Sequence, residues 1–126
     1  MQRLQLVHPI RLGRQPNGVQ RYRKFRIRGS IDFAIIGVAS VLSLGDDKIR
    51  KAAIVLGAVA PVPIRATEVE RFLVGREPDI ETAEAAGVIA VRAATPLTKN
   101  VFKAQIVRAL LREAILDLQC SVNRGR

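Results

Sequence analysis

The sequence predicts an α+β domain in which a small three-stranded antiparallel sheet is covered by a layer of three helices. Segments rich in valine and isoleucine, which favour strands, precede segments in which apolar residues follow helical spacing. Strands followed by helices, here in the order β-β-β-α-α-α, are typical of this class. With 126 residues the chain has room for one hydrophobic core, so we expect residues 1–126 to form a single domain.

The strands are predicted from alternating polarity and from turn-forming residues. Apolar and more polar residues alternate over residues 4–12, and Pro9 within this run indicates an edge strand. Residues 31–44 and 49–60 are separated by the turn composition Gly45-Asp46-Asp47-Lys48, which predicts a β-hairpin. Because both hairpin strands are apolar on both sides, we expect one face under the helices and the other at least partly covered.

The helices are predicted from their capping and breaking residues. Thr67 and Glu70 fit a capping box for a short helix that Gly75 would end. Pro78-Asp79 opens a second helix from 80 to about 94. A last helix runs from 101 to about 118, and we expect residues 119–126 to be a flexible tail. On this helix, seven residues follow helical spacing and, apart from Lys103, form an apolar stripe: Lys103, Val107, Leu110, Leu111, Ala114, Ile115 and Leu118.

The net charge of +10 lies at the two ends of the chain. Residues 1–28, predicted to be a basic strand and loop, hold eight basic residues and no acid, whereas residues 29–118 hold eleven of each sign. A neutral body with a basic N-terminal segment argues against a uniformly basic protein. It indicates an anionic ligand or an acidic partner near residues 1–28.

Composition excludes several classes of function. The single cysteine, Cys120, cannot form an internal disulfide, and together with the single histidine, His8, it cannot build a metal site. We therefore expect no metal ligands and no catalytic residues. The longest apolar stretch, residues 31–44, is interrupted by polar residues and too short for a membrane helix, and no signal peptide is evident. These features predict a soluble cytoplasmic protein with no membrane contact.

The most distinctive segment is residues 21–28, where Tyr22 and Phe25 are interleaved with five arginines and lysines. It can be a solvated basic loop anchored by Phe25, a nucleic-acid-binding segment within residues 1–28, or a contact for a cofactor or acidic protein. Gly37 and Gly57 in the hairpin either mark bulges or leave gaps where a backbone or ligand can come close. The carboxylates Glu68/Glu70 and Glu77/Asp79 lie near predicted helix starts, which favours a solvated structural role over acid/base chemistry.

Five motifs in order along the chain resemble a known family. They are Pro16-Asn17-Gly18 leading into Tyr22-Arg23-Lys24-Phe25-Arg26; Asp32-Phe33-Ala34-Ile35; Leu56-Gly57-Ala58-Val59-Ala60-Pro61-Val62-Pro63-Ile64-Arg65-Ala66; Glu68 with Glu70; and Ala94-Thr95-Pro96-Leu97-Thr98-Lys99-Asn100 before the last helix. The sequence is similar to the C-terminal domain of the FAD-binding medium subunit of molybdenum hydroxylases, the group of xanthine dehydrogenase and aerobic carbon monoxide dehydrogenase.

The resemblance implies a fold like the one predicted above and a role beside a flavin. Tyr22 and Lys24 match the family's aromatic-x-Lys at the flavin, and the loop from Arg26 to Asp32 matches the flexible strip beside it. The cofactor-binding residues implied are thus Tyr22, Lys24, Arg26 and Asp32. Residues 27–30 differ from the acidic loops of some members.

The resemblance also implies the cofactor and the partners. FAD would be shared with a separate FAD nucleotide-binding domain, which the family places before this domain and which this sequence does not contain, so we expect the isolated chain to bind FAD weakly or not at all. The implied partners are that domain, an Fe–S small subunit and a molybdopterin large subunit. In the family, electrons pass from the molybdenum centre through the Fe–S clusters of the small subunit to the flavin. Nucleic acid, bound through residues 1–28, is the alternative partner.

Overall fold

The α+β class with an antiparallel sheet and three helices is confirmed, and the part of the chain that the structure describes has four strands in the sheet rather than three. The computed structural model describes residues 18–29, 32–92 and 101–123. In sheet order, the strands are β1 (Val19–Phe25), β2 (Ile36–Gly45), β3 (Lys48–Gly57) and β4 (Ile64–Arg65), and all neighbours are antiparallel. The helices are α1 (Thr67–Leu73), α2 (Ile80–Arg92) and α3 (Val101–Asn123).

Strand β1 lies in the basic run, where the sequence predicts a loop. Its side chains alternate between the two sides of the sheet, but on the side towards the helices Arg21 and Arg23 stand between the apolar residues Val19 and Phe25. Carboxylates on α3 form ion pairs with these arginines. Because charged residues can therefore face the helices, the sequence of the strand shows no regular apolar alternation. The strand predicted at residues 4–12 lies outside the described residues.

Strand β4 is the other strand that the sequence analysis does not predict. It has only two residues, Ile64 opposite Leu56 and Arg65 opposite Val55. The next residue, Ala66, extends the pairing, because its N–H donates to the carbonyl of Ile54 at 2.9 Å. Two residues are too few to produce a recognisable period, and only the contact with β3 defines them as a strand.

The predicted hairpin is confirmed as β2 and β3. Asp46 and Asp47 form the two-residue turn with φ of 55° and 59°, as a type I′ turn requires. Aspartate accepts this left-handed conformation more readily than most residues. The register shifts once, between Ser43 and Leu44, and the two strands otherwise pair continuously from Gly37 opposite Gly57 onwards.

The core lies between one face of the sheet and the helices. Alternate residues of β2 and β3 are buried there, and the predicted apolar stripe of α3 is buried against them, as expected for an amphipathic helix. The buried side chains include Ile36, Val38, Leu42, Ile54, Leu56, Val69, Leu73, Val107, Leu110, Leu111, Ala114, Ile115 and Leu118. The other face of the sheet, called the outer face below, carries Tyr22 and Ala39, which are both exposed.

The predicted capping box of α1 is wrong. The helix begins after Ala66, and no side chain caps its N-terminus. The carboxylate of Glu70, which the capping box would turn back to the helix start, instead reaches β3 and accepts a hydrogen bond from the N–H of Ile54 at 2.8 Å. Gly75 adopts φ of 85° just after the helix, in agreement with its predicted role as the stop.

The remaining helices follow the prediction more closely. The N–H of Thr82 donates to Asp79 Oδ1 at 2.7 Å, so Asp79 caps α2, and this bond keeps the pKa of Asp79 below its ordinary value. Helix α3 ends at Asn123 rather than near Leu118, so residues 119–123 of the predicted tail are helical. None of the helices in the described ranges is long and apolar enough to cross a membrane.

Candidate functional site

The two sides of β1 make different contacts. Tyr22 lies opposite Ala39 and Lys24 lies opposite Gly37, which places both side chains on the outer face. Arg21 and Arg23 alternate with them and point to the helical side, where they meet carboxylates of α3. The basic run is therefore divided between a surface and an internal ion-pair cluster.

The ion-pair cluster joins β1 to α3. Arg23 Nη1 donates to Glu113 Oε2 at 2.8 Å, and Arg23 Nη2 donates to the carboxylate of Asp117. Arg21 Nε lies 4.0 Å from Asp117 Oδ2. Two positive charges that the sequence analysis assigns to an anionic ligand or partner are thus balanced within the domain.

The ring of Tyr22 leans along β2 from its own neighbour, Ala39, towards Gly37. A Cβ atom placed on Gly37 would lie 2.7 Å from the hydroxyl oxygen of Tyr22 and 3.3 Å from two ring carbons. The distal end of the ring thus lies over a backbone without a side chain. The space at Gly37 is taken up by the ring of Tyr22, and not by the backbone or ligand expected from the sequence.

The outer face is apolar at its centre and carries no carboxylate. A shallow depression of about 340 Å³ beside Tyr22 is lined by residues of β1, β2 and β3: Gln20, Arg21, Ala39, Ser40, Val41, Ala53 and Val55. The sequences of β1, β3 and β4 contain arginine or lysine, and none of the four strands contains aspartate or glutamate. Such a surface suits a flat, electron-rich ring more than it suits a cation.

Arg26 and Asp32 lie in the loop that joins β1 to β2. The N–H of Ile35 donates to the carbonyl of Phe25 at 2.9 Å and closes the base of this loop. Asp32 Oδ2 accepts a hydrogen bond from the N–H of Arg28 at 3.3 Å, while Arg26 is exposed and has no hydrogen bond or ion pair within the described ranges. Tyr22 and Lys24 therefore form a pair on the strand, and Arg26 and Asp32 belong to the adjoining loop.

The loop also exposes two apolar side chains. Phe33 is 94% exposed and Ile27 is 79% exposed, so neither contributes to the core of this domain. Ile27 lies in the segment 26–32 that the resemblance assigns to the flavin side, whereas Phe33 is predicted to lie in the first hairpin strand. Ile27 stands between two arginines, which is a signal for an exposed apolar side chain, and Phe33 has no such signal in the sequence.

Glu70 and Arg65 form a second polar cluster, at the edge of the sheet. Arg65 Nε donates to both carboxylate oxygens of Glu70, at 2.9 and 3.1 Å. Burial alone would raise the pKa of Glu70, but the hydrogen bonds from Arg65 and from the N–H of Ile54 outweigh it and lower the pKa. The same contact raises the pKa of Arg65. Glu70 is thus a structural carboxylate, as predicted, although it is buried rather than solvated.

Taken together, these observations define an α+β domain with one sheet face packed by helices and the other open to a ligand or another chain. Comparison with protein-family models matches residues 20–118 to the CO dehydrogenase flavoprotein C-terminal domain. The chain belongs to this family, whose members are flavoprotein domains of molybdenum hydroxylases. Searching the curated proteins gives no match to this sequence.

Solved structures support the same assignment. The domain resembles part of the Cu,Mo-CO dehydrogenase in its cyanide-inactivated form, with a TM-score of 0.72 and 26% identity over 82% of this chain and 37% of that chain. It also resembles reconstituted CO dehydrogenase from Oligotropha carboxidovorans, with a TM-score of 0.69 and 26% identity over 82% of this chain and 37% of that chain. Quinoline 2-oxidoreductase from Pseudomonas putida 86 shares the fold, with a TM-score of 0.72 and 24% identity over 82% of this chain and 37% of that chain.

The chain thus spans 37% of the length of the solved chains that it matches. In the described part of the chain, no group of three or more histidine, cysteine, aspartate or glutamate side chains is arranged to hold a metal ion. The features that single out a site are therefore the outer face with Tyr22 and Lys24 and the loop that follows them.

Proposed function

We propose that this chain covers the ring of an FAD molecule that is held mainly by a separate FAD nucleotide-binding domain. The observation that carries the proposal is the pair Tyr22 and Lys24, which lies on the open face of the sheet. Tyr22 is 65% exposed, and Lys24 is exposed with no hydrogen bond or ion pair among the residues that the structure describes. Both side chains are available for a ligand or for another domain.

The residues of the outer face fit one part of FAD. The isoalloxazine ring is flat and apolar on its faces and has polar edges, so an aromatic side chain with an adjacent cation can contact it. Tyr22 supplies the aromatic surface, Lys24 supplies a positive charge, and Arg26 in the adjoining loop supplies a second one. When bound, FAD supplies the redox chemistry by accepting electrons and passing them on.

Other parts of FAD would have to be held elsewhere. The sequence contains no glycine-rich phosphate-binding motif, so nothing in it corresponds to a diphosphate cradle. Asp32 is engaged by the N–H of Arg28, which fits a role in shaping the loop beside the ring. The proposed site is therefore one half of an FAD-binding site, and the FAD nucleotide-binding domain supplies the other half.

The proposal extends to the partner subunits. Family membership supports an assembly with an Fe–S small subunit and a molybdopterin large subunit, from which electrons pass to the flavin. In such an assembly this chain would also contact another subunit, for which the exposed Phe33 and Ile27 offer an apolar surface. The proposal includes a cytoplasmic location, consistent with a single cysteine that has no partner for an internal disulfide.

Nucleic-acid binding through residues 1–28 is less well supported. Of the cations in this segment, Arg21 and Arg23 lie against carboxylates of α3. A protein that neutralises phosphates with these arginines would have to break those ion pairs first. A gel shift at low salt tests the alternative directly, because phosphate contacts would give an affinity that falls steeply with salt.

The proposed function is tested by titrating the isotope-labelled chain with FAD and following its backbone amide resonances. We expect weak binding, with the largest shifts at Tyr22, Lys24 and Gly37 and small ones on α2. Riboflavin, which lacks the phosphates and the adenosine, should shift the same residues. Shifts scattered over the surface, or none at millimolar FAD, would contradict the proposal.

A second measurement uses the FAD nucleotide-binding domain of a CO dehydrogenase flavoprotein, produced without its own C-terminal domain. Gel filtration measures how much FAD this domain retains with and without the 126-residue chain. We expect retention to rise when the chain is added and to rise less with the Tyr22→Ala variant. If neither FAD retention nor association of the two polypeptides changes, the proposed function is wrong.

A further inference from the structure

We propose that Gly37 is a positioning residue for Tyr22: because it has no side chain, the ring can lie down against β2 beside Lys24. This inference rests on the proposed function, because it concerns how the outer face is prepared for the flavin ring. Gly37 itself is buried and offers no group that could contact a ligand. Its contribution is the space that it leaves.

The geometry shows that this space is needed. A Cβ atom on Gly37 would lie 2.7 Å from the Tyr22 hydroxyl oxygen and 3.3 Å from Cε2 and Cζ. The first distance is shorter than any that real Cβ atoms show, so any other residue at this position would push the ring away. The obstruction comes from a side chain and not from the backbone, so β2 can keep its place while Tyr22 moves.

The register explains why a ring on β1 reaches this position. Tyr22 lies directly opposite Ala39, whereas Gly37 lies opposite Lys24 on one side and Gly57 on the other. The ring therefore crosses diagonally from its own row into the row of Lys24, a reach that aromatic side chains achieve across antiparallel strands.

The consequence is that the ring end and the lysine share one row of the sheet. A methyl group at position 37 would push the ring of Tyr22 away from the sheet. The ring would then occupy the space above the row of Lys24 that the flavin ring needs. We expect the lost contact to weaken binding roughly fivefold to tenfold. Gly37→Ala should thus impair flavin binding without removing any group that touches the flavin.

Gly57 provides a matched control. It is the cross-strand neighbour of Gly37, and a Cβ atom on it would meet only the carbonyl oxygen of Gly37, at 3.8 Å. Gly57→Ala therefore makes the same chemical change in the same row with ordinary van der Waals contact. The two variants differ in whether the new methyl group meets the ring of Tyr22.

The position of the ring can be measured without any flavin. Tyr22 is the only tyrosine of the chain, so tyrosine labelling gives ring resonances that need no further assignment. We expect strong cross-relaxation between the ring protons of Tyr22 and the α protons of Gly37. This cross-relaxation should be preserved in Gly57→Ala. In Gly37→Ala, the cross-relaxation between the Tyr22 ring protons and the α proton of residue 37 should fall at least about threefold, because the ring moves to another rotamer farther from the strand. The signal falls steeply with the distance between the two protons.

The flavin titration is the second arm of the experiment. We expect the dissociation constant for FAD to rise roughly fivefold to tenfold in Gly37→Ala and to stay within about twofold in Gly57→Ala. Unchanged cross-relaxation in Gly37→Ala, or equal effects of the two variants on FAD binding, would overturn the inference. If the wild-type chain binds no FAD, the proposed function fails, and cross-relaxation alone then decides whether Gly37 sets the position of Tyr22.

A double variant covers the case in which Gly37→Ala does not fold. In the background Tyr22→Ala the obstructing ring is gone, so adding Gly37→Ala should restore the circular dichroism of a folded α+β domain. A double variant that remains unfolded would show that something other than Tyr22 requires the glycine, and it would overturn the inference.

Discussion

The guanidinium group of Arg23 on β1 contacts the carboxylate of Asp117 on α3, 94 residues further along the chain. The same guanidinium donates to Glu113 at 2.8 Å, so one arginine holds two carboxylates on successive turns of the helix. The side chain of Arg23 is 31% exposed, and its Nε is buried with no hydrogen-bond partner among residues 18–29, 32–92 and 101–123. This cluster fixes the edge strand β1, and with it Tyr22 and Lys24, to the helical layer.

Asp117→Asn should destabilise the domain. The change removes one of the charges that balance Arg23 and leaves its guanidinium partly desolvated, so we expect the free energy of unfolding to fall by about 1–2 kcal/mol. Urea denaturation, monitored by circular dichroism, measures this free energy of unfolding. Because β1 is released first, the amide protons of this strand should also exchange faster with solvent.

Glu84→Gln is the control for this prediction. Glu84 forms ion pairs with Arg108 and Arg112 at 3.6 and 3.3 Å, but it lies on the surface, with its side chain 48% exposed. Surface ion pairs contribute little, so the expected loss is below about 0.5 kcal/mol. Equal losses in the two variants would contradict the role assigned to Arg23 and Asp117.

Glu70 should make the stability of the domain depend on pH under acidic conditions. Its pKa in the folded chain lies below the ordinary value of 4.5, so the charged form stabilises the fold. This stabilisation is complete above pH 4.5 and is lost as the pH falls through the lower, folded-state pKa. The free energy of unfolding of the wild type should therefore fall more steeply below pH 4.5 than that of Glu70→Gln.

Glu68→Gln is a suitable comparison, since Glu68 is an exposed carboxylate on the same helix. Its pH profile should follow the wild type. At pH 7, Glu70→Gln should cost about 2 kcal/mol, because Arg65 and the N–H of Ile54 lose their charged acceptor. Parallel profiles of the wild type and Glu70→Gln in acid would show that Glu70 does not govern the acid response.

Ala58→Gly should stabilise the domain. Ala58 follows β3 with φ of 61°, a left-handed conformation that costs a residue with a Cβ atom about 1–2 kcal/mol. The greater freedom of glycine in the unfolded chain offsets part of the gain, which leaves about 0.5–1 kcal/mol of net stabilisation. Thermal unfolding measures the difference.

Ala60→Gly is the reference for that prediction. Ala60 lies in the same segment but does not have a positive φ, so glycine there only adds freedom to the unfolded chain and should lower the melting temperature. The carbonyl of Ala58 accepts a hydrogen bond from Lys103 Nζ at 3.3 Å, which glycine preserves. A lower melting temperature for Ala58→Gly would mean that the left-handed conformation is not maintained in solution.

Lys24→Gln should lower the midpoint potential of FAD in the assembled flavoprotein, if the outer face covers the flavin as proposed. A nearby cation favours the more negatively charged reduced state, so its removal should shift the potential downwards by about 30 mV, or about 1.4 kcal/mol for two electrons. Lys51→Gln, the same change at the exposed position opposite Ser43, should shift it far less. An equal shift in both variants would exclude a specific role for Lys24.

The sequence predicted the parts of the fold that rest on apolar periodicity. The stripe on α3 is of this kind, because burial selects apolar residues at regular intervals. The β2–β3 hairpin is predicted instead from its Val- and Ile-rich strands and from the turn residues between them. β1 could not be found this way, since Arg21 and Arg23 on its inner side are satisfied by Glu113 and Asp117, which lie far away in sequence.

Tyr22 and Lys24 are singled out through the family resemblance, and β1 brings both to one face of the sheet. The local pattern around Glu70 suggested a helix cap, but contacts with Arg65 and β3 determined its position. The placement of Tyr22 over Gly37 depends on the register between β1 and β2, which no single strand encodes.

The alternation along β1 separates stability from recognition. Residues 21 and 23 attach the strand to the helices, whereas residues 20, 22 and 24 lie on the outer face of the sheet. Substitutions at these three outward positions can therefore accumulate during evolution, or be introduced by design, with little effect on folding. The family could adapt this surface to different ring environments while retaining one scaffold, and a library restricted to the three positions would explore that range directly.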